Sequence, residues 1–264
     1  MTHPLRVFFL TLFFIALIQP SALYADDKNP LRLAVSANAG VPLKKIAEAF
    51  TEKTGTRVEI IIGSSGKLFA QITQGAPFDI FFSADSMRPL ELETMGFVVD
   101  RGRFVYATGR LALLSALDFT PKTNLNKAEL SFLNFRFLKD DKIKRIAIAN
   151  PDSAPYGKAA KEMLLSLGIY KEVEPKLIYG ESVSQAYAFM RSGNADIAIV
   201  ALSILKGVDA EFITIDQALH EPLVQEAAII QGAHAAARDF ADFLSTEKAR
   251  NILKVYGYGT EKRP

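Results

Sequence analysis

Two short segments hold most of the chemistry in this sequence: Gly63-Ser64-Ser65-Gly66 and Asn150-Pro151-Asp152-Ser153-Ala154-Pro155-Tyr156-Gly157. Each follows an apolar, β-rich run and precedes a run with helical spacing, so each reads as a turn from a strand into a helix. The first N–H groups of a helix have no partner within it, and they sit at the positive end of its dipole. A small turn containing glycine leaves those groups open to a guest, and the guest they suit is an anion. Two such turns, far apart in the chain, point to one small anion gripped from two sides. Asn38, Ser182 with Val183, and Ala201 also fall just past strand ends, the edge at which open α/β sheets bind ligands. Plainer roles stand beside these: Asn38 and Ser182 as helix caps, Ser64-Ser65-Gly66 as an ordinary turn, Tyr156 as a surface aromatic in a proline turn. Asp85 reads as an internal hydrogen-bond acceptor. His220 and His234 lack a serine–acid partner or metal-ligand spacing and read as solvent-exposed.

The elements that must position these residues form two α/β series. Leu31–Val35, Arg57–Ile62 and Asp79–Phe82 read as strands. Between them, Leu43, Ile46, Ala47 and Phe50, then Leu68, Phe69 and Ile72, recur at helical spacing. Pro42 sits in a first turn, and Gly55 closes that helix. This alternation predicts a parallel sheet covered by helices. A second series runs through strands at Arg145–Ala149, Lys176–Tyr179, Asp196–Val200 and Glu211–Ile215, with helices after Tyr156 and Ser182. Val105–Ser115 and Val224–Ile230 read as extended crossovers. The polar stretch 116–143 reads as surface loop with a short helix. Two helices, about Ala235–Leu244 and Thr246–Val255, return the tail to the first series. The fold class is therefore α/β, with two parallel-rich sheets flanked by helices and hinged by two extended crossovers. One continuous doubly wound domain is the alternative arrangement.

The N-terminal residues read as a leader. Arg6 precedes the apolar run Val7–Ile18, which is too short to span a bilayer comfortably, and Ala25 before Asp26-Asp27 marks a cleavage site. Residues 1–25 are thus assigned to a signal peptide, 26–107 with 225–264 to a first lobe, and 108–224 to a second. An uncleaved anchor is the other reading of the leader. The chain has no cysteine, which removes disulfides, thiolate ligands and a lipidated anchor. Export without these devices points to a periplasm. With 31 Lys and Arg against 29 Asp and Glu, a net charge of +2, nucleic-acid binding has little electrostatic support.

At these residues the chain resembles the periplasmic molybdate-binding proteins of ABC transporters. The resemblance rests on Ala34–Asn38, Gly63–Ile72, Gln74–Asp85, Asn150–Ala160, Gly180–Val183 and Gly193–Ser203, together with the tail from Ala249 to Gly257. It implies the two-lobed, type II periplasmic-binding-protein fold. It also implies contacts to a molybdate or tungstate oxyanion from Asn38, Ser65, Tyr156 and Val183, the last two largely through backbone N–H groups, with Ser64 lining the same turn. No catalytic residue, cofactor or direct metal ligand is implied, since molybdenum arrives as its oxyanion. The implied partner is an ABC permease, and a monomer is expected. Asn38 stands where one branch of the family has serine, and Ala201 where a tyrosine hydroxyl often closes the site. The chain reads as a second branch, in which Tyr156 stands in for that hydroxyl. A receptor for sulfate or thiosulfate remains the alternative ligand reading, and a periplasmic input module for a signalling partner would bind similarly. An enzyme on a similar two-lobed fold is disfavoured. A porphobilinogen-deaminase-like transferase needs a cysteine, and a hydrolase needs a nucleophile–base pair.

Overall fold

A computed structural model describes residues 29–116, 135–210 and 212–260. The leader with its cleavage site near Ala25, most of the polar stretch 116–143, and Glu211 lie outside the described residues. Among the described residues no helix is long and apolar enough to cross a membrane.

The first sheet is built from β1 (Leu31–Ser36), β2 (Val58–Gly63), β3 (Ile80–Phe82), β4 (Val98–Thr108) and β10 (Val224–Ile230), in the order β2-β1-β3-β10-β4. β1 runs parallel to β2 and β3, whereas β10 runs antiparallel to both β3 and β4. β1 is covered on both faces, which is why its middle, Leu33 to Val35, is apolar at every position. Leu31, Leu33 and Val35 join one core with α1 (Gly40–Thr54), and Ala34 joins another with Leu68 and Ile72 of α2 (Ser65–Thr73). α1 ends at Gly55, whose φ of 78° is the left-handed cap that glycine adopts most readily. α3 (Met87–Thr94) follows β3.

The second sheet repeats the plan with β5 (Leu111–Ser115), β6 (Ile146–Ala149), β7 (Leu177–Gly180), β8 (Ile197–Ala201) and β9 (Phe212–Thr214), ordered β7-β6-β8-β5-β9. β6 is parallel to β7 and β8, and β5 is antiparallel to β8 and β9. α4 (Pro155–Ser166) follows β6, and α5 (Val183–Arg191) follows β7. The tail folds back on the first lobe as α6 (Ala237–Leu244) and α7 (Glu247–Val255). Phe240 meets Phe50 of α1 edge-on at 5.1 Å, and Thr246 caps α7 through Ala249 N–H.

Two sequence readings need correction. Val105–Ser115 does cross between the sheets, as the end of β4 and all of β5, but Val224–Ile230 is a ladder strand, β10, inside the first sheet. Among the described residues the chain passes between the sheets at Gly109-Arg110 and at 215–223. These passages are tied together where Gly109 N–H donates to the Leu223 carbonyl at 2.8 Å. His220, read as exposed, is buried. The second passage folds it inward, with its Nδ1 2.7 Å from the Glu221 carbonyl oxygen.

Candidate functional site

The carboxyl ends of β1, β2 and β3 face those of β6 and β7 across a small cavity of about 10 Å³, counted as the space open to the centre of a water-sized sphere. That is about the room of a single water-sized guest and far too little for an organic metabolite. Ser36, Ala37, Asn38, Ser64, Ser65 and Ala84 line one side, and Ala154, Pro155, Tyr156, Ser182 and Val183 line the other. The five residues singled out from the sequence, Asn38, Ser64, Ser65, Tyr156 and Val183, are thus brought together. None of the lining residues carries a charge.

Three helix starts aim at this space. In α2 the Ser64 hydroxyl caps Lys67 N–H at 3.3 Å, and Leu68 N–H returns to the Ser64 carbonyl at 3.0 Å. Gly66 N–H crosses to the opposite lobe and donates to the Ser153 carbonyl at 2.9 Å. The Ser65 N–H has no acceptor among the described residues. The Ser65 hydroxyl oxygen accepts from Ala84 N–H at 3.0 Å, which fixes the rotamer and leaves its hydrogen for a guest. In α4, Pro155 has no N–H to satisfy. Gly157 and Lys158 both donate to the Ala154 carbonyl, so Tyr156 N–H is the open donor. In α5, Ser182 accepts from Gln185 N–H at 3.4 Å, a capping role foreseen in the sequence. Val183 N–H stays open.

Asn38 differs from the simple expectation. Gln225 directs its Nε2 at two carbonyl oxygens, of Ala84 at 3.2 Å and Leu223 at 3.0 Å. Its Oε1 must therefore face Asn38 as an acceptor. Asn38 Nδ2 donates to that oxygen and to the Tyr258 hydroxyl, both at 2.7 Å. With both amide hydrogens committed, the side chain braces the hinge, and the backbone N–H is what Asn38 offers to the cavity. The brace spans the lobes, because Ser203 Oγ donates to the Asn38 carbonyl at 2.8 Å.

Tyr156 divides in the same way. Its backbone N–H opens on the cavity, while its hydroxyl lies against Gly109 at the first passage, where a Cβ would collide with it. Burial, and secondly the nearby Tyr258 hydroxyl, hold the Tyr156 phenol well above its ordinary pKa. Tyr156 and Ala201 belong to one packed core. The tyrosine hydroxyl is buried beside Gly109 at the hinge, with no hydrogen-bond partner of its own among the described residues.

The model of the bacterial extracellular solute-binding proteins matches residues 31–259. The chain belongs to that family. It is 43% identical to the molybdate-binding protein ModA of Rhodobacter capsulatus over 231 residues, covering 86% of this chain and 87% of the relative. It is 36% identical to ModA of Azotobacter vinelandii over 243 residues, covering 90% and 92% respectively. The solved periplasmic molybdate-binding protein of A. vinelandii superposes with a TM-score of 0.78 at 33% identity, over 88% of this chain and all of that one. The two mixed sheets flanked by helices are the type II periplasmic-binding-protein fold.

In this solute-binding protein, sequence reasoning missed the hinge network of Gln225, Tyr258 and Ser203, and it missed Ser36. Gln225-Glu226 interrupts an otherwise apolar strand, and a buried polar pair in such a run was the available signal. Nothing in the sequence marked Ser36 apart from its place at the end of β1.

Proposed function

We propose that this protein captures molybdate or tungstate in the periplasm, between lobes formed by residues 26–107 with 225–264 and by 108–224, and delivers it to an ABC permease. The observation that carries this reading is an uncharged cavity into which donors from both lobes converge. The ligands we assign are the Asn38 N–H, the Ser64 hydroxyl, the Ser65 N–H and hydroxyl, and the N–H groups of Tyr156 and Val183. A tetrahedral dianion has four acceptor oxygens, and burying it uncompensated is prohibitive. Hydrogen bonds to a charged group return about 1.5–3 kcal/mol each, and three helix N-termini add favourable potential. A cage of donors alone suits an oxyanion that carries no proton. Phosphate keeps a proton near neutrality and is best held with a carboxylate acceptor, which the lining side chains do not supply. The absence of any charged side chain at the cavity also speaks for binding rather than acid–base catalysis.

A thermal-shift and calorimetry panel on the mature protein tests the proposal. Molybdate and tungstate should raise the melting temperature, whereas phosphate and chloride should not. A shift with sulfate and none with molybdate would replace the ligand and keep the site. No shift with any oxyanion would overturn the function.

A further inference from the structure

The Ser36 hydroxyl is buried, and its Oγ has no hydrogen-bond partner. A buried hydroxyl left unpaired is costly, and such groups in folded proteins are normally satisfied by protein, water or ligand. Ser36 ends β1 opposite Gly63, one strand away from the Ser64-Ser65 turn, and it lines the cavity. The Tyr106 hydroxyl lies within interaction range of it, but it donates to the Ser83 carbonyl at 3.3 Å and makes no hydrogen bond of good geometry with Ser36. Ser64 and Ser65 already accept from Lys67 and Ala84 N–H groups. On this side of the cage Ala37 has no polar side chain, and both amide hydrogens of Asn38 are committed to the hinge. Ser36 is thus the side-chain hydroxyl at the end of β1 that can still turn its hydrogen toward a guest.

Resting on the oxyanion reading above, we infer that the Ser36 hydroxyl is a further ligand of the bound anion and sets part of its affinity. The lone hydroxyl is tolerated in the ligand-free protein because an anion oxygen accepts from it on binding. The two states then respond to its removal in opposite directions. Without ligand, losing an unpaired buried hydroxyl stabilises the fold. With ligand, losing a charge-assisted donor weakens binding.

The test is calorimetry with sodium molybdate and thermal melting of the ligand-free protein, for wild type and S36A. The expected result is at least about tenfold weaker molybdate binding by S36A, with a ligand-free melting temperature equal to or above that of wild type. S36C, which keeps the bulk and offers only a weak donor, should lose affinity likewise, and it covers the case in which alanine disturbs folding. Wild-type affinity in S36A or S36C would overturn the inference while leaving the oxyanion site standing. Lower ligand-free stability of S36A would also overturn it, since the hydroxyl would then have a partner within the fold. A wild-type protein that binds no oxyanion would instead remove the reading beneath it, and the inference with it.

Discussion

At the scale of single residues, the site divides polar groups between two tasks. On the proposed reading Ser65 serves the guest: its oxygen is held by Ala84 N–H, which leaves its hydrogen for an anion oxygen. Ser65→Ala should weaken molybdate binding by about 1.5–3 kcal/mol, read by titration calorimetry. Unchanged affinity would remove Ser65 from the ligand set. The Tyr156 side chain serves the hinge. Its ring fills a core position and its hydroxyl meets Gly109, so Tyr156→Phe should change affinity less than about threefold, or about 0.7 kcal/mol. A loss comparable to that of Ser65→Ala would place the hydroxyl on the anion instead. These two residues also mark how far the sequence was legible. That Ser65 and Tyr156 would meet at one cavity followed from turn chemistry and helix starts, which are local. Which atom of Tyr156 or Asn38 faces the guest depends on Gln225 and Tyr258, both about 200 positions away from Asn38 in sequence, and no local pattern encodes that.

At the scale of elements, each of α2, α4 and α5 presents its first N–H groups to the cavity, and α2 also reaches the opposite lobe. Gly66 N–H donates to the Ser153 carbonyl, and a Cβ on Gly66 would come within 2.8 Å of that oxygen and 3.1 Å of Ser153 Cα. Both contacts are with backbone, which cannot turn aside. Gly66→Ala should therefore hold the lobes apart, lowering affinity at least about tenfold though no ligand atom is removed. Small-angle scattering should show that the variant fails to contract on adding molybdate. Contraction with wild-type affinity would show that the turn is not a closing contact. The elements were legible wherever apolar spacing was strong, as in α1 and β1. The second crossover, Val224–Ile230, was misplaced for a physical reason. Extended apolar runs look the same whether they cross between sheets or pair within one, and β10 acquires its central place only from β3 and β4 on either side.

At the scale of the whole molecule, two lobes of the same sheet plan are joined by two passages and braced by a buried cluster of tyrosines. Burial is the leading cause that raises the pKa of Tyr106, Tyr156 and Tyr258. The neutral phenols are therefore favoured in the fold. Their contribution is fully present below the ordinary tyrosine value of about 10 and is lost as pH rises beyond it, because the unfolded chain ionises first. Melting temperature should fall above about pH 10. The site itself holds no group that titrates near neutrality, so molybdate affinity should be flat between about pH 6 and pH 9. A steep change within that window would reveal an ionising ligand residue. The central claim is that donors from both lobes, without a counter-charge, enclose a doubly negative tetrahedral ion. A crystal of the mature protein grown with molybdate, with molybdenum located by its anomalous scattering, tests this most directly. The account predicts a single strong peak between Ser65 and Val183 with the lobes closed on it. A peak outside that cavity, or one coordinated by a lysine or arginine, would contradict it.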